Sequence, residues 1–80
     1  MNRTEKNMKP EMKKPVEMYD FLFEFTEESD YEGEQILCEE SSLENAWRCL
    51  IEDNGFSRSE LKFMETLPVE VGEALGLDTY

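Results

Sequence analysis

Eighty residues with 20 Asp and Glu against 8 Lys and Arg, no histidine and 39% hydrophobic side chains make one small, strongly acidic domain of formal charge −12. With the four glycines the apolar share is about 44%, enough to expect a fold rather than a disordered chain. The charge excludes attraction to nucleic acid or an anionic bilayer through phosphate, and the missing histidine removes the commonest general base and metal ligand.

Residues 1–14 hold Arg3, Lys6, Lys9, Lys13 and Lys14 against Glu5 and Glu11, a net of +3. They lack periodicity, carry Pro10 and read as a flexible basic tail. Residues 15–80 set Arg48, Arg58 and Lys62 against 18 acids, a net of −15, and read as the folded acidic domain. A core of this size rarely contributes more than ~3–5 kcal/mol net, and self-repulsion lowers that further at low salt. Salt is therefore expected to stabilise it.

From Val16 to Thr26 the chain alternates, with Tyr19, Phe21, Phe23 and Phe25 on one face and Met18, Asp20, Leu22 and Glu24 on the other, the pattern of a first strand. Glu27 to Glu34 carries five acids, Ser29, Gly33 and Tyr31, which suits an exposed hairpin connection; Gln35 to Glu39 then returns as a second strand. Ser41-Ser42-Leu43-Glu44 fits a capping box, the serine hydroxyl accepting from a helical amide and Glu44 reaching back. Leu43, Ala46, Trp47, Leu50 and Ile51 form the apolar stripe of a helix that ends at Asn54-Gly55, with Phe56 placed to pack on Ile51.

Ser59 to Leu67 reads as a third strand, with Leu61, Phe63 and Leu67 toward the helix and Lys62, Met64 and Thr66 away from it; Glu65 breaks the apolar side. Pro68 at a first helical position, Val71 and Leu75 four apart, and Gly76 as a stop predict a short second helix. Gly72 inside it costs ~1 kcal/mol relative to Ala, so this helix must lean on the rest of the fold.

The predicted fold class is α+β, a small β-β-α-β-α domain whose three-stranded antiparallel or mixed sheet has order 2-1-3. One main helix covers the Phe21, Phe23 and Phe25 face. Met18, Leu22, Leu37 and Met64 face the other way, either under the C-terminal helix or as an exposed apolar patch.

Few elements of catalytic chemistry are present. No phosphate-binding loop, dinucleotide fingerprint or CxxC occurs, and a pocket in so small a domain would compete with the core for volume. The expectation is a protein that is not an enzyme, with no catalytic residue, no cofactor and no metal site. Asp30, Glu32 and Glu34 resemble the start of a calcium loop, but Gln35 and Ser41 stand where that loop needs Gly and Glu. Two cysteines are too few for a disulfide scaffold and read as reduced thiols, Cys38 buried in a strand and Cys49 exposed on the helix flank. No apolar run spans a bilayer and no secretory apolar segment follows the basic start, so a cytoplasmic location is expected.

Tyr31 is set apart by its neighbours. An amphipathic ring among carboxylates suits Lys- or Arg-rich partners, through ion pairs and cation–π contact; the competing reading folds Tyr31 back over the hairpin end. The candidate partner-binding residues are Glu27, Glu28, Asp30, Tyr31, Glu32, Glu34, Glu39 and Glu44, facing a basic protein surface and neither nucleic acid nor membrane directly.

Two functions fit. In the first the domain is a DNA mimic: alternate strand residues lie ~6.8 Å apart, on the scale of successive phosphates, so Asp20 and Glu24 or the acidic loop would occupy the basic groove of a nucleic-acid-binding protein. In length, acidity and lack of histidine the chain resembles phage-encoded inhibitors of host defence or host DNA enzymes. In the second it is a housekeeping interaction domain or homodimeric small subunit that uses the Met18, Leu22, Leu37 and Met64 face.

Overall fold

A computed structural model describes residues 17–80; the basic tail assigned to residues 1–14 lies outside them. The chain runs β1 (Tyr19–Phe25), β2 (Gln35–Glu40), α1 (Leu43–Arg48), β3 (Leu61–Leu67) and α2 (Val69–Ala74). The sheet order is β2-β1-β3, with both outer strands antiparallel to β1. This is the predicted α+β class and order, and the strand with most rings lies at the centre.

The face toward α1 is closed by aromatic and aliphatic packing. Phe21, Phe23 and Phe25 of β1, Ile36 and Cys38 of β2 and Leu61 of β3 meet Ala46 and Leu50, all buried. Trp47 stands edge-on to Phe23 with ring centroids 4.8 Å apart, and Phe63 lies 5.7 Å from the same ring. Such edge-to-face pairs add about 0.5–1.5 kcal/mol each beyond the apolar area they bury.

The ends of α1 differ from the expected ones. Ser42 is the cap, its Oγ accepting from the Asn45 amide at 3.1 Å. Ser41 instead accepts from the Asn45 side chain, and Glu44 turns outward to Arg48 at 3.7 Å, so no capping box forms here. One forms at the next helical turn, where Ser57 and Glu60 cap a 3₁₀ turn (Arg58–Glu60) that replaces the first residues of the expected third strand.

Past Arg48 the helix widens into a π turn (Cys49–Asp53). Asn54 supports it twice, its backbone and side-chain amides both donating to the Cys49 carbonyl, at 3.1 and 2.9 Å. Gly55 supplies the positive φ of 79° that ends the helix. The Phe56 amide then donates to Leu50, one carbonyl earlier than an ordinary α ending gives, and its ring lies against Phe25 and Tyr80.

β3 carries a bulge. Leu22 faces Glu65 and Phe23 faces Phe63, so Met64 is the extra residue. Beyond it the sides exchange: Thr66 stands opposite Phe21 and Leu67 opposite Asp20, the reverse of the expected placement. The physical reason is Glu65. An unbroken alternation would point its carboxylate into the aromatic face, and the bulge turns it to the exposed side.

The second face is closed by other means. α2 packs across β1 through Gly72, where a Cβ would collide with the Asp20 carboxylate; Pro68 caps the helix rather than starting it. Val71 and Leu75 of this helix remain 45% and 47% exposed. Leu22 and Leu37 are buried while Met18 and Met64 are not, so the face is partly covered and partly open. The chain then lies along β2: Leu37 donates to Asp78, and Tyr80 and Glu39 donate to Leu37 and Tyr80, at 2.8–3.1 Å. Thr79 thus pairs in parallel with Leu37 and shields an edge that would otherwise template pairing with another chain.

Candidate partner-binding face

The acidic connection between β1 and β2 is an ordered series of turns. Phe25 donates to Glu34 at 2.9 Å and Gly33, at φ 88°, donates back to Phe25 at 3.0 Å, closing the hairpin. Ser29 is buried: its amide donates to Thr26 and its Oγ accepts from the Tyr31 amide, each at 3.0 Å. Thr26 ties the loop to the 3₁₀ turn, donating to Glu60 from its backbone and to Ser59 from its hydroxyl. The carboxylates are thereby displayed on fixed backbone.

The setting of Tyr31 combines packing with exposure. The ring folds back on Phe25, with centroids 5.4 Å apart, yet the residue stays 55% exposed. Its outer side borders a recess of about 260 Å³ lined by Phe25, Tyr31, Glu34, Ile36, Phe56, Asp78 and Tyr80. Tyr31, Phe25, Phe56 and Tyr80 form a continuous chain of ring contacts, with successive centroids 5.4, 5.5 and 5.6 Å apart. Two carboxylates, Glu34 and Asp78, complete the lining. On the opposite flank of the loop a shallower recess of about 390 Å³ is lined by Glu24, Phe25, Thr26, Glu27, Glu32, Gly33 and Lys62.

Of the sequence-predicted residues, Glu27, Glu28, Asp30, Tyr31, Glu32 and Glu34 belong to this one end of the sheet. Glu39 and Glu44 do not join them. Glu39 lies five residues along β2, roughly 17 Å from Glu34, and Glu44 sits on α1 beside Arg48. Phe56, Asp78 and Tyr80 were not anticipated there. Tyr80 and Asp78 arrive only because the last residues pair with β2.

Asp20 is not available as a surface acid. It is 2% exposed, and its Oδ1 has no hydrogen-bond partner among the described residues. Burial pushes its carboxyl above the usual carboxylate range, and the charges of Glu39 and Glu73 push the same way. It cannot serve as a phosphate-like group on the strand surface.

The two cysteines also meet. Cys38 is buried and its thiol donates to the Ala46 carbonyl at 3.8 Å; Cys49, expected to be exposed away from the core, is half-buried against it. Donor atoms of Cys38, Glu40 and Cys49 all lie within 4.8 Å of one another. Burial, then Cys49 and nearby carboxylates, push the Cys38 thiol up to about 12, so it is protonated at neutral pH and no nucleophile.

Arg58 is an exposed residue whose guanidinium stacks 3.5 Å above the Trp47 ring. Among the described residues no helix is long and apolar enough to cross a membrane. Compared with known proteins, the chain matches no family model, no curated protein and no solved structure.

Proposed function

We propose that the protein is a small non-enzymatic binding module that engages a basic protein surface through the hairpin end, an arginine or lysine side chain of the partner entering the Tyr31, Phe56 and Tyr80 recess. The observation that carries this reading is the recess itself. It joins three accessible or half-exposed rings to the carboxylates of Glu34 and Asp78, and such a pairing attracts a guanidinium or ammonium through ring face and charge together. The surrounding −15 body speeds the encounter and makes it sensitive to salt.

Imitation of nucleic acid is the narrower form of the same proposal, in which the partner's basic surface is one that otherwise holds phosphate. What supports a local site over a body-wide imitation is the distribution of the acids. Five acids lie together on the loop end, whereas Glu39, Glu44, Glu65, Glu70 and Glu73 lie on other elements and Asp20 is buried. A second reading, self-association over the α2 side, draws on Met18, Met64, Val71 and Leu75, each at least 40% exposed.

The test is titration of the full chain with oligo-arginine and oligo-lysine peptides, compared with Tyr31→Ala and Tyr80→Ala, which leave the charge unchanged. Loss of one ring should weaken binding roughly threefold to thirtyfold, the range a cation–π contact supplies. Equal affinity in all three proteins would leave only diffuse charge attraction and defeat the proposal. Light scattering decides self-association: a mass near twice the monomer supports it and a monomer at high concentration removes it.

A further inference from the structure

We infer that Cys38, Glu40 and Cys49 form a binding site for a thiophilic divalent cation of the zinc type, separate from the hairpin end. Cys38 and Glu40 are two apart on β2 and so project from the same face, toward α1. Cys49 opens the π turn, and π turns occur mostly as single-turn bulges within α-helices, frequently at functional sites. Here the widened helix presents that sulfur to β2. The three donor atoms, all within 4.8 Å of one another, need close by only about 1 Å to reach the ~3.8 Å separation of two thiolates on tetrahedral zinc.

The surroundings suit the ion. Asn54, which holds the π turn through the Cys49 carbonyl, also brings its side-chain amide to 3.5 Å from the Cys49 sulfur, a donor that favours thiolate over thiol. The acidic body raises the local concentration of cations. Binding exchanges one proton from each thiol for the metal, with no change of oxidation state, and two thiolates with one carboxylate leave a fourth position for water. Because ligation displaces a proton from each thiol, affinity should rise with pH.

Reduced full-length protein titrated with Cd²⁺, followed by the sulfur-to-cadmium charge-transfer absorbance, tests the site. The expected result is a band that saturates at one equivalent, is reversed by Zn²⁺ and accompanies the release of two protons. Cys49→Ser should weaken binding by more than the roughly 100-fold that loss of a supporting hydrogen bond costs, and Asn54→Ala by roughly tenfold. Glu40→Gln should also weaken it, and Glu44→Gln should not. Cys49, Glu40 and Asn54 are not fully buried, so these variants keep the test open if Cys38→Ser fails to fold. No charge-transfer band, or equal affinity in wild type and Cys49→Ser, would overturn the assignment and leave only adventitious carboxylate binding.

Discussion

On the side of the sheet toward α1, rings and branched side chains interlock: Phe21, Phe23 and Phe25 against Ala46, Trp47 and Leu50. On the side toward α2, a helix approaches through the one residue without a side chain and rests on a carboxylate, Gly72 on Asp20. The first closure gains free energy with every atom buried. The second confines a carboxylate that has lost its water, which costs about 1–3 kcal/mol per unsatisfied group. Stability of so small a domain therefore comes mainly from one face, and sensitivity to pH from the other. The candidate site lies where the two closures meet, since Phe56, which follows the α1 side, packs directly on Tyr80, which follows the α2 side, and Phe25 joins Tyr31 to that pair.

The largest effect expected is on the α1 side. Phe23→Ala removes the fully buried central ring and should cost about 3–5 kcal/mol, comparable to all that a core of this size supplies. Urea unfolding should lose its cooperative transition. A clear two-state transition with a loss under ~1 kcal/mol would mean that the α2 side holds the fold as firmly as the aromatic side does.

Gly72→Ala sharpens the comparison from the other side. In an exposed helix this change stabilises by about 1 kcal/mol; here the new methyl meets Asp20, and a destabilisation of about 1–3 kcal/mol is expected. Asp20→Ala should relieve the clash, so the double variant should melt above Gly72→Ala alone. Additive losses would show that the two residues do not press on one another.

A smaller effect is the pH dependence. Burial, with Glu39 and Glu73, raises the Asp20 carboxyl above its ordinary value of 3.8, so the folded state holds this proton more tightly than the unfolded chain does. Its contribution is complete below about 3.8 and is lost as pH rises through the folded value. Stability should thus increase on mild acidification from neutral pH. Relief of general repulsion acts in the same direction, and Asp20→Asn separates the two. That variant should melt higher at neutral pH and show a flatter profile; parallel profiles would assign the dependence to surface charge alone.

Much of this architecture was legible in the residues. The period-two rings of β1, the stripe from Leu43 to Ile51 and the Asn54-Gly55 stop placed the strand order and the α1 face, because each is a local repeat with one way to bury its apolar side. Glu65 was the visible sign of the bulge, though which residue would step out depends on pairing with Leu22 and Phe23. Gly72 was legible only as a cost that makes α2 lean on the rest of the fold; its close approach to Asp20 depends on how the helix crosses β1. The pairing of Thr79 with Leu37 left no local signal, since one bridging residue has no periodicity, and the site lost Asp78 and Tyr80 with it. Tyr31 was singled out by its neighbours alone, while its aromatic partners come from sequence positions 6 to 49 residues away.

The most direct measurement of the central claim is a map of backbone amide shifts in the full chain as an oligo-arginine peptide is added at physiological salt. The account predicts saturable shifts concentrated at Tyr31, Glu34, Phe56 and Asp78 to Tyr80, while Glu39, Glu44 and Glu70 stay nearly still. Shifts of similar size at every acidic segment, or a maximum around Glu39 and Glu44, would contradict it.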